Sequence, residues 1–160
     1  MEKLIVFLDI DGVLNKSTQW KNMFSLDNNC IENFCRYIHS LNIKDKKIIL
    51  TSTWKNGWDS AGNHAPHIID LENRLNKYNI KIFGKTITDA DGDRAKEIND
   101  FILSHNLDHC DCLVIDDDTS IFKSKLLPNC KKIFTDASKG FDLKRKEKKW
   151  YEKLKDSIIR

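Results

Sequence analysis

Short apolar runs recur along the chain and alternate with segments in which apolar residues fall every three or four positions. Each run is about as long as one β-strand. The Val and Ile content of the runs suits strands buried on both faces, as in parallel sheets. The runs occupy residues 4–8, 47–50, 80–83, 112–115 and 132–134. This pattern predicts a five-stranded parallel sheet.

Three of the intervening segments carry an apolar stripe at helical spacing. The stripes are Ile31, Phe34, Ile38 and Leu41; Leu71, Leu75 and Tyr78; and Ile98, Phe101, Ile102 and His105. Asp93 stands where the third helix would begin, as its N-cap. Trp150, Leu154 and Ile158 fall every four residues and predict a last helix. The alternation predicts a doubly wound, Rossmann-like α/β fold, with residues 1–160 as a single domain.

The composition indicates a soluble globular chain rather than a disordered or membrane-spanning one. It is 40% hydrophobic and 32% charged, and no apolar run approaches the ~20 residues that span a bilayer. The first residues lack the cleavage site of a signal peptide. The five cysteines are odd in number, so we expect reduced thiols and a cytoplasmic location.

Polar side chains follow three predicted strands at their carboxyl ends, where sheets of this type bind ligands. They are Asp9 and Asp11 after the first strand, Thr51 and Ser52 after the second, and Asp116 and Asp117 after the fourth. Carboxylates gathered at one spot repel one another unless a cation lies among them. Oxygen ligands favour a hard ion, and Mg²⁺ is usual where a phosphate shares the coordination shell. The sequence therefore predicts a Mg²⁺ site for a phosphorylated substrate.

These residue types suit phosphoryl transfer. An Asp beside the ion can attack phosphorus and form an aspartyl-phosphate. A second acid two residues later can protonate the leaving oxygen and then deprotonate a water. Arg94 or Lys96, at the start of the third predicted helix, would offset the charge of the transferring group. Ser52 and Gly12 are expected on the substrate side of the site, and Gly12 supplies a positive φ after Asp11.

Four segments in this order resemble the motifs of the haloacid dehalogenase (HAD) superfamily. Residues 7–15, FLDIDGVLN, resemble its first motif, residues 48–52 its second and residues 114–117 its fourth. The third motif is a single basic residue, for which residues 93–98 offer Arg94 and Lys96. The resemblance covers nearly the whole chain.

The resemblance implies a role for each motif residue. Asp9 would be nucleophile and metal ligand, and Asp11 would be the general acid/base and lend its backbone carbonyl to the metal. The other roles are phosphate binding by Thr51, charge neutralisation by Arg94 (or else Lys96), and metal ligation by Asp117 and Asp116. An acid at the Asp11 position points to a phosphatase rather than a dehalogenase.

A closer resemblance is to the small HAD branch found in RNA-repair-associated proteins. It rests on Trp54 and Lys55 after motif two, on Glu97 after Arg94, and on residues 139–141, KGF. That branch typically has arginine where Lys55 stands and glycine where Ala95 stands.

The spacing between motifs bears on the substrate. Only 39 residues separate Asp11 from Thr51 and 42 separate Thr51 from Arg94, which predicts a HAD-like core without a cap domain. An open site suits a macromolecule, namely a polynucleotide end phosphate or a phosphoprotein, because a small metabolite would be poorly sheltered. A phosphotyrosine phosphatase and an inactive module that binds Mg²⁺ and an anion are the alternatives.

Two further segments leave alternatives open. The net charge of +3 is concentrated in residues 139–150, either as a solvated helix face or as a surface that attracts anions. In the loop after motif two we expect Trp54 to be buried, whereas Trp58 either stacks on a substrate ring or packs. His64 and His67 lack the matched partners of a zinc site.

Overall fold

The protein is described by a computed structural model over residues 3–142, and five strands form one sheet within this range. The strands are β1 (Lys3–Leu8), β2 (Asp45–Leu50), β3 (Ile82–Lys85), β4 (Asp111–Asp116) and β5 (Lys131–Phe134). Their order in the sheet is β3-β2-β1-β4-β5, and every neighbouring pair is parallel. The predicted doubly wound α/β fold is confirmed.

Helices cover both faces of the sheet. They are α1 (Asn28–Ser40), α2 (Pro66–Asn76), α3 (Arg94–Ser104) and α4 (Ser120–Lys123). Two short 3₁₀ helices, Ser17–Gln19 and Thr53–Gly57, lie in the loops that follow β1 and β2. Asp93 accepts a hydrogen bond from the Lys96 amide and is the N-cap of α3, as predicted.

The central strand β1 divides the core into two layers. Leu4, Val6 and Leu8 pack with apolar residues of α1 and α2 on one face. Ile5 and Phe7 pack with apolar residues of α3 and α4 on the other. Alternate residues of a strand point to opposite faces, so a strand buried on both sides is apolar throughout.

The third strand begins later than predicted, at residue 82 rather than 80. Ile80 is buried in the core, but its amide donates to the Leu75 carbonyl at the end of α2. Gly84 and Lys85 extend the strand instead, paired with Ile49 and Leu50.

Two predicted features fall partly or wholly outside these elements. Tyr78 follows the end of α2 rather than lying on it, although it packs against the core. The predicted last helix and most of the basic segment lie outside the described residues. Within residues 3–142 the segments between motifs one and two and between motifs two and three each hold loops, a short 3₁₀ helix, one α-helix and a strand, with no cap domain. No helix in this range could cross a membrane.

Candidate active site

Backbone hydrogen bonds continue past the ends of the strands and fix the first residue after each. The Asp9 amide donates to the Ile115 carbonyl, and the Thr51 amide donates to the Leu8 carbonyl, each at 3.0 Å. The order of strands reverses between β1 and β4, which is where ligands bind in such sheets. The polar residues that follow β1, β2 and β4 are therefore held together at one edge.

Three of the predicted acids form a cluster. Oxygen atoms of Asp9, Asp116 and Asp117 all lie within 4.8 Å of one another, and Asp9 and Asp116 are buried. Gly12 makes room for the third acid, since an added Cβ at its φ of +82° would lie 2.4 Å from Asp117 Oδ2. A donor set of carboxylate oxygens fits a hard divalent cation.

The ionisation of the cluster is opposed by its surroundings. Burial and the neighbouring Asp116 carboxylate raise the pKa of Asp9 well above its ordinary value, although Arg94 acts in the opposite direction. Burial also raises the pKa of Asp116, again against Arg94. A cation bound among these carboxylates would relieve the repulsion and favour their charged forms.

The structure distinguishes the two predicted cations. Arg94 Nη1 lies 3.2 Å from Asp9 Oδ1 and 2.9 Å from Asp116 Oδ2. Burial works against its charge, but the Asp9 and Asp116 carboxylates raise the pKa of Arg94. Lys96 points away, and its ammonium pairs with Asp89 and Asp100 on the exposed side of α3. Arg94 is thus brought to the acid cluster and Lys96 is not.

The hydroxyl of Thr51 is buried beside the cluster. Among the described residues it has no hydrogen-bond partner, so it has a donor to offer to a bound oxyanion. The neighbouring Ser52 uses its hydroxyl to accept from the Trp54 amide, as the N-cap of the second 3₁₀ helix. The amide of Gly12 donates to Asn15 Oδ1 at 3.0 Å. Ser52 and Gly12 therefore use these groups in local hydrogen bonds that shape the site. The Thr51 hydroxyl has no such partner among the described residues.

The second acid of motif one is held by two donors. Asp11 Oδ1 accepts from Asn15 Nδ2 at 2.8 Å and from Trp54 Nε1 at 3.1 Å. The other oxygen, Oδ2, accepts no side-chain hydrogen bond from the residues that the structure describes. The carboxyl is thereby oriented through one oxygen, and the second remains available for proton transfer. Trp54 is buried, as expected.

Asn15 belongs to the sequence motif, but the motif does not reveal the hydrogen bonds that its side chain makes. In addition to Asp11 and Gly12, its side chain bonds the Ser25 carbonyl and Trp20 Nε1. It thus ties the Asp11 carboxylate to the loop that follows β1. Residues 139–141 dock on the same turn, where the Phe141 amide donates to the Val13 carbonyl at 2.7 Å.

Lys55 and Glu97 join motif two to motif three. Their side chains form a buried ion pair, and Lys55 Nζ also donates to Thr86 Oγ1 at 2.9 Å. The lysine that replaces the arginine typical of the related branch therefore has a structural partner in Glu97. The motifs contain both charged residues, but only the fold shows that their side chains form a pair.

Trp58, His64 and His67 follow motif two and make packing and hydrogen-bond contacts. Trp58 lies 5.5 Å from the ring of His64 and packs against the core, which supports the packing alternative. His64 Nδ1 accepts from the Asp59 amide, and its Nε2 lies 3.2 Å from Glu72. His67 stacks on Phe24.

Comparison with known protein families gives a match over most of the chain. The family model described as the HAD domain in Swiss Army Knife RNA repair proteins matches residues 5–145. No curated protein and no solved structure matches. The matched span contains every motif residue of the site, and HAD domains form a phosphatase-type hydrolase family that typically uses a divalent metal. The chain therefore belongs to the family of HAD domains in Swiss Army Knife RNA repair proteins.

Proposed function

We propose that the protein is a Mg²⁺-dependent phosphomonoester hydrolase that acts through an aspartyl-phosphate on the end phosphate of a polynucleotide. The observation that carries the proposal is the position of Asp9. Its carboxylate lies in one cluster with Asp116 and Asp117 and 3.2 Å from Arg94 Nη1. Thr51 follows the neighbouring strand, its amide bonded to the Leu8 carbonyl, and its buried hydroxyl has no partner among the described residues. Nucleophile, ion ligands and oxyanion donors thus meet at one point.

The donor set suits the proposed ion. Asp9, Asp116 and Asp117 would hold Mg²⁺ through carboxylate oxygens, and the Asp11 carbonyl is a further ligand by family resemblance. When bound, Mg²⁺ would polarise the phosphoryl group and offset its negative charge. Binding would also offset the repulsion that raises the pKa values of Asp9 and Asp116.

In the first step an oxygen of Asp9 attacks phosphorus, and the bond between phosphorus and the ester oxygen breaks. Asp11 gives its proton to that leaving oxygen, so the product alcohol departs neutral. Arg94 and the Thr51 hydroxyl stabilise the charge on the phosphoryl oxygens as it is transferred. The products are an aspartyl-phosphate at Asp9 and an ionised Asp11.

In the second step Asp11 takes a proton from a water, and the water oxygen attacks the phosphorus of the aspartyl-phosphate. The bond between phosphorus and the Asp9 oxygen breaks, which releases inorganic phosphate and restores both acids. Asn15 and Trp54 keep Asp11 in one orientation through both steps. Fixed orientation matters because one carboxyl must serve two proton transfers.

The absence of a covering domain among the described residues supports a macromolecular substrate. Within the described residues no domain covers the acid cluster, so a large substrate can reach it. The family's RNA-repair context favours a polynucleotide end over a phosphoprotein. The basic residues Lys144, Arg145, Lys146, Lys148 and Lys149 would add attraction for anions, which salt would weaken. The free thiols of the described cysteines agree with a cytoplasmic location.

A substrate panel tests the proposal. Phosphate release is measured with Mg²⁺ or chelator for 3′- and 5′-phosphorylated oligonucleotides, phosphotyrosine peptides, an aryl phosphate and a sugar phosphate, at two salt concentrations. We expect Mg²⁺-dependent turnover, with oligonucleotides preferred at low salt. A phosphotyrosine peptide preferred at both salt concentrations would favour the protein phosphatase. Mg²⁺ binding without turnover of any substrate would favour an inactive binding module.

A further inference from the structure

We propose that a cavity beside Asp11 receives the terminal base of an unpaired polynucleotide end, stacked on the rings of Trp20 and Phe24. This inference rests on the proposed function and names the form of the substrate. The aromatic cavity, as we call it, is lined by Trp20, Met23, Phe24, Trp54 and His67 together with Asp11.

The position of the cavity suits the leaving group. Asp11 is the proposed proton donor to the leaving oxygen and lies in the wall of the aromatic cavity. Whatever is attached to that oxygen must therefore extend from Asp11 into or along this space. The volume of about 640 Å³ lies in the range of ~300–1,000 Å³ that is typical of small-ligand sites.

The ring of Phe24 is held in place by a residue whose backbone is strained. Phe24 has a φ of +62°, a left-handed conformation that bulky residues rarely adopt and that the surroundings must impose. Its ring is parallel to that of His67, with centroids 3.8 Å apart, and meets the edge of Trp54 at 5.1 Å. Even so, Phe24 is 41% exposed. A strained conformation that leaves a large ring in water is expected where the ring has a ligand.

Trp20 and Met23 present more apolar surface to the same space. Trp20 is 45% exposed and Met23 is 82% exposed, so neither contributes its full surface to the core. The indole of Trp20 is oriented by its Nε1, which donates to Asn15 Oδ1 at 2.8 Å. Asn15 also holds Asp11. One buried amide thus fixes the aromatic ring relative to the proposed proton donor.

The polar residues around the rings favour a nucleotide over a tyrosine ring. The cavity is also lined by Lys21, Asn22 and Asn56, all exposed. Carboxamides pair with the edges of bases, and an ammonium suits the next backbone phosphate. A phenol ring would use neither. Because a paired terminal base is already stacked in its duplex, it would have to leave that stack before it could enter the cavity.

The test compares substrates that differ in the terminal base alone. We would measure kcat/KM for a phosphorylated single-stranded oligonucleotide, for the same end with an abasic terminal residue, and for the same end in a blunt duplex. The expected preference for the single-stranded, base-bearing end is about tenfold over either of the others, as removal of one base–aromatic stack predicts.

Substitutions show which residues cause the preference for a base-bearing end. Trp20→Ala should reduce the ratio of base-bearing to abasic kcat/KM toward one, mainly through KM. Trp20→Phe keeps a ring but loses the hydrogen bond to Asn15, so it should retain most of the ratio. Phe83→Ala is the matched control, because Phe83 is 53% exposed but lies on β3 outside the aromatic cavity. It should leave the ratio unchanged.

The outcomes separate the two proposals. Turnover at equal rates for base-bearing and abasic ends would contradict the stacking inference alone and leave the proposed function in place. A ratio that survives Trp20→Ala, or that Phe83→Ala reduces equally, would also overturn it. A phosphotyrosine peptide that outperforms every oligonucleotide would contradict both the stacking inference and the polynucleotide substrate of the proposed function. Absence of turnover with all phosphomonoesters would instead contradict the proposed function.

Discussion

Lys55 and Glu97 form an ion pair in the interior of the protein, with side chains that are 4% and 5% exposed. Lys55 lies in the 3₁₀ helix after β2, and Glu97 lies in the first turn of α3. The pair therefore connects the segment that follows Thr51 to the helix that begins at Arg94. The pair thus holds the first turn of α3, which contains Arg94, against the chain around motif two.

Breaking this pair should destabilise the protein strongly. Glu97→Gln leaves the Lys55 ammonium buried without a counter-charge, and such changes cost about 3–5 kcal/mol. Urea denaturation measures the loss. Glu32→Gln is the matched control, because the Glu32–Arg36 pair is exposed and contributes little. Similar losses for the two variants would contradict the structural role assigned to Glu97.

Arg94→Ala should reduce kcat/KM far more than Lys96→Ala. Arg94 contacts Asp9 and Asp116, whereas Lys96 pairs with Asp89 and Asp100 away from the cluster. Loss of a preorganised donor at a transferring group typically costs about 10²–10³ in rate. Steady-state kinetics with an aryl phosphate measures both variants, and a larger loss for Lys96→Ala would move the motif-three role to that residue.

The carboxyl ends of β1, β2 and β4 were predictable because each apolar run ends at a polar residue. Apolar runs end in Asp9, Thr51 and Asp116, and parallel strands bring their carboxyl ends together. The start of β3 was not predictable from the same signal. Ile80 is apolar and buried, yet it closes α2 rather than entering the sheet, and burial alone does not separate these cases.

The surroundings of Asp11 could not be predicted from local pattern. Trp20 and Phe24 come from the loop after β1, and Trp54 and His67 come from the segment after β2. Irregular loops have no periodic sequence pattern, so only the fold shows that these two segments meet beside Asp11. The sequence offers Trp58 as a stacking residue, but in the structure Trp58 packs on His64. The rings that we propose for stacking are those of Trp20 and Phe24.

Asp117→Ala should weaken Mg²⁺ binding more than Asp118→Ala. Asp117 lies in the acid cluster, whereas Asp118 Oδ1 accepts from the Ser120 amide at the start of α4. We expect Kd to rise about tenfold or more for Asp117→Ala, equivalent to ~1.4 kcal/mol. Calorimetric titration measures both proteins, and equal affinities would contradict the assignment of Asp117 as a ligand.

Without metal, Asp9→Asn should stabilise the protein at neutral pH. The pKa of Asp9 is raised in the folded state, mainly by burial, so its ionisation opposes folding. This cost is absent below the ordinary pKa and grows as pH rises through the folded pKa. In chelator, Asp9→Asn should therefore raise Tm at pH 7 and have little effect near pH 4.

Two controls accompany that measurement. Asp118→Asn, outside the acid cluster, should leave Tm nearly unchanged at both pH values. Excess Mg²⁺ should raise the Tm of the wild-type protein more than that of Asp9→Asn, because the ion binds the folded cluster. A lower Tm for Asp9→Asn in chelator at pH 7 would show that the Asp9 charge is not destabilising.

Acid-quench trapping shows whether Asp9 carries the phosphoryl group. The protein is Asp11→Asn and the substrate is a ³²P-labelled aryl phosphate, whose leaving group departs without a general acid. The second step then lacks its base, so label should accumulate on the protein, and mass spectrometry should place it on Asp9. Asp9→Asn should retain no label. Label on another residue, or full phosphatase activity in Asp9→Asn, would contradict the account.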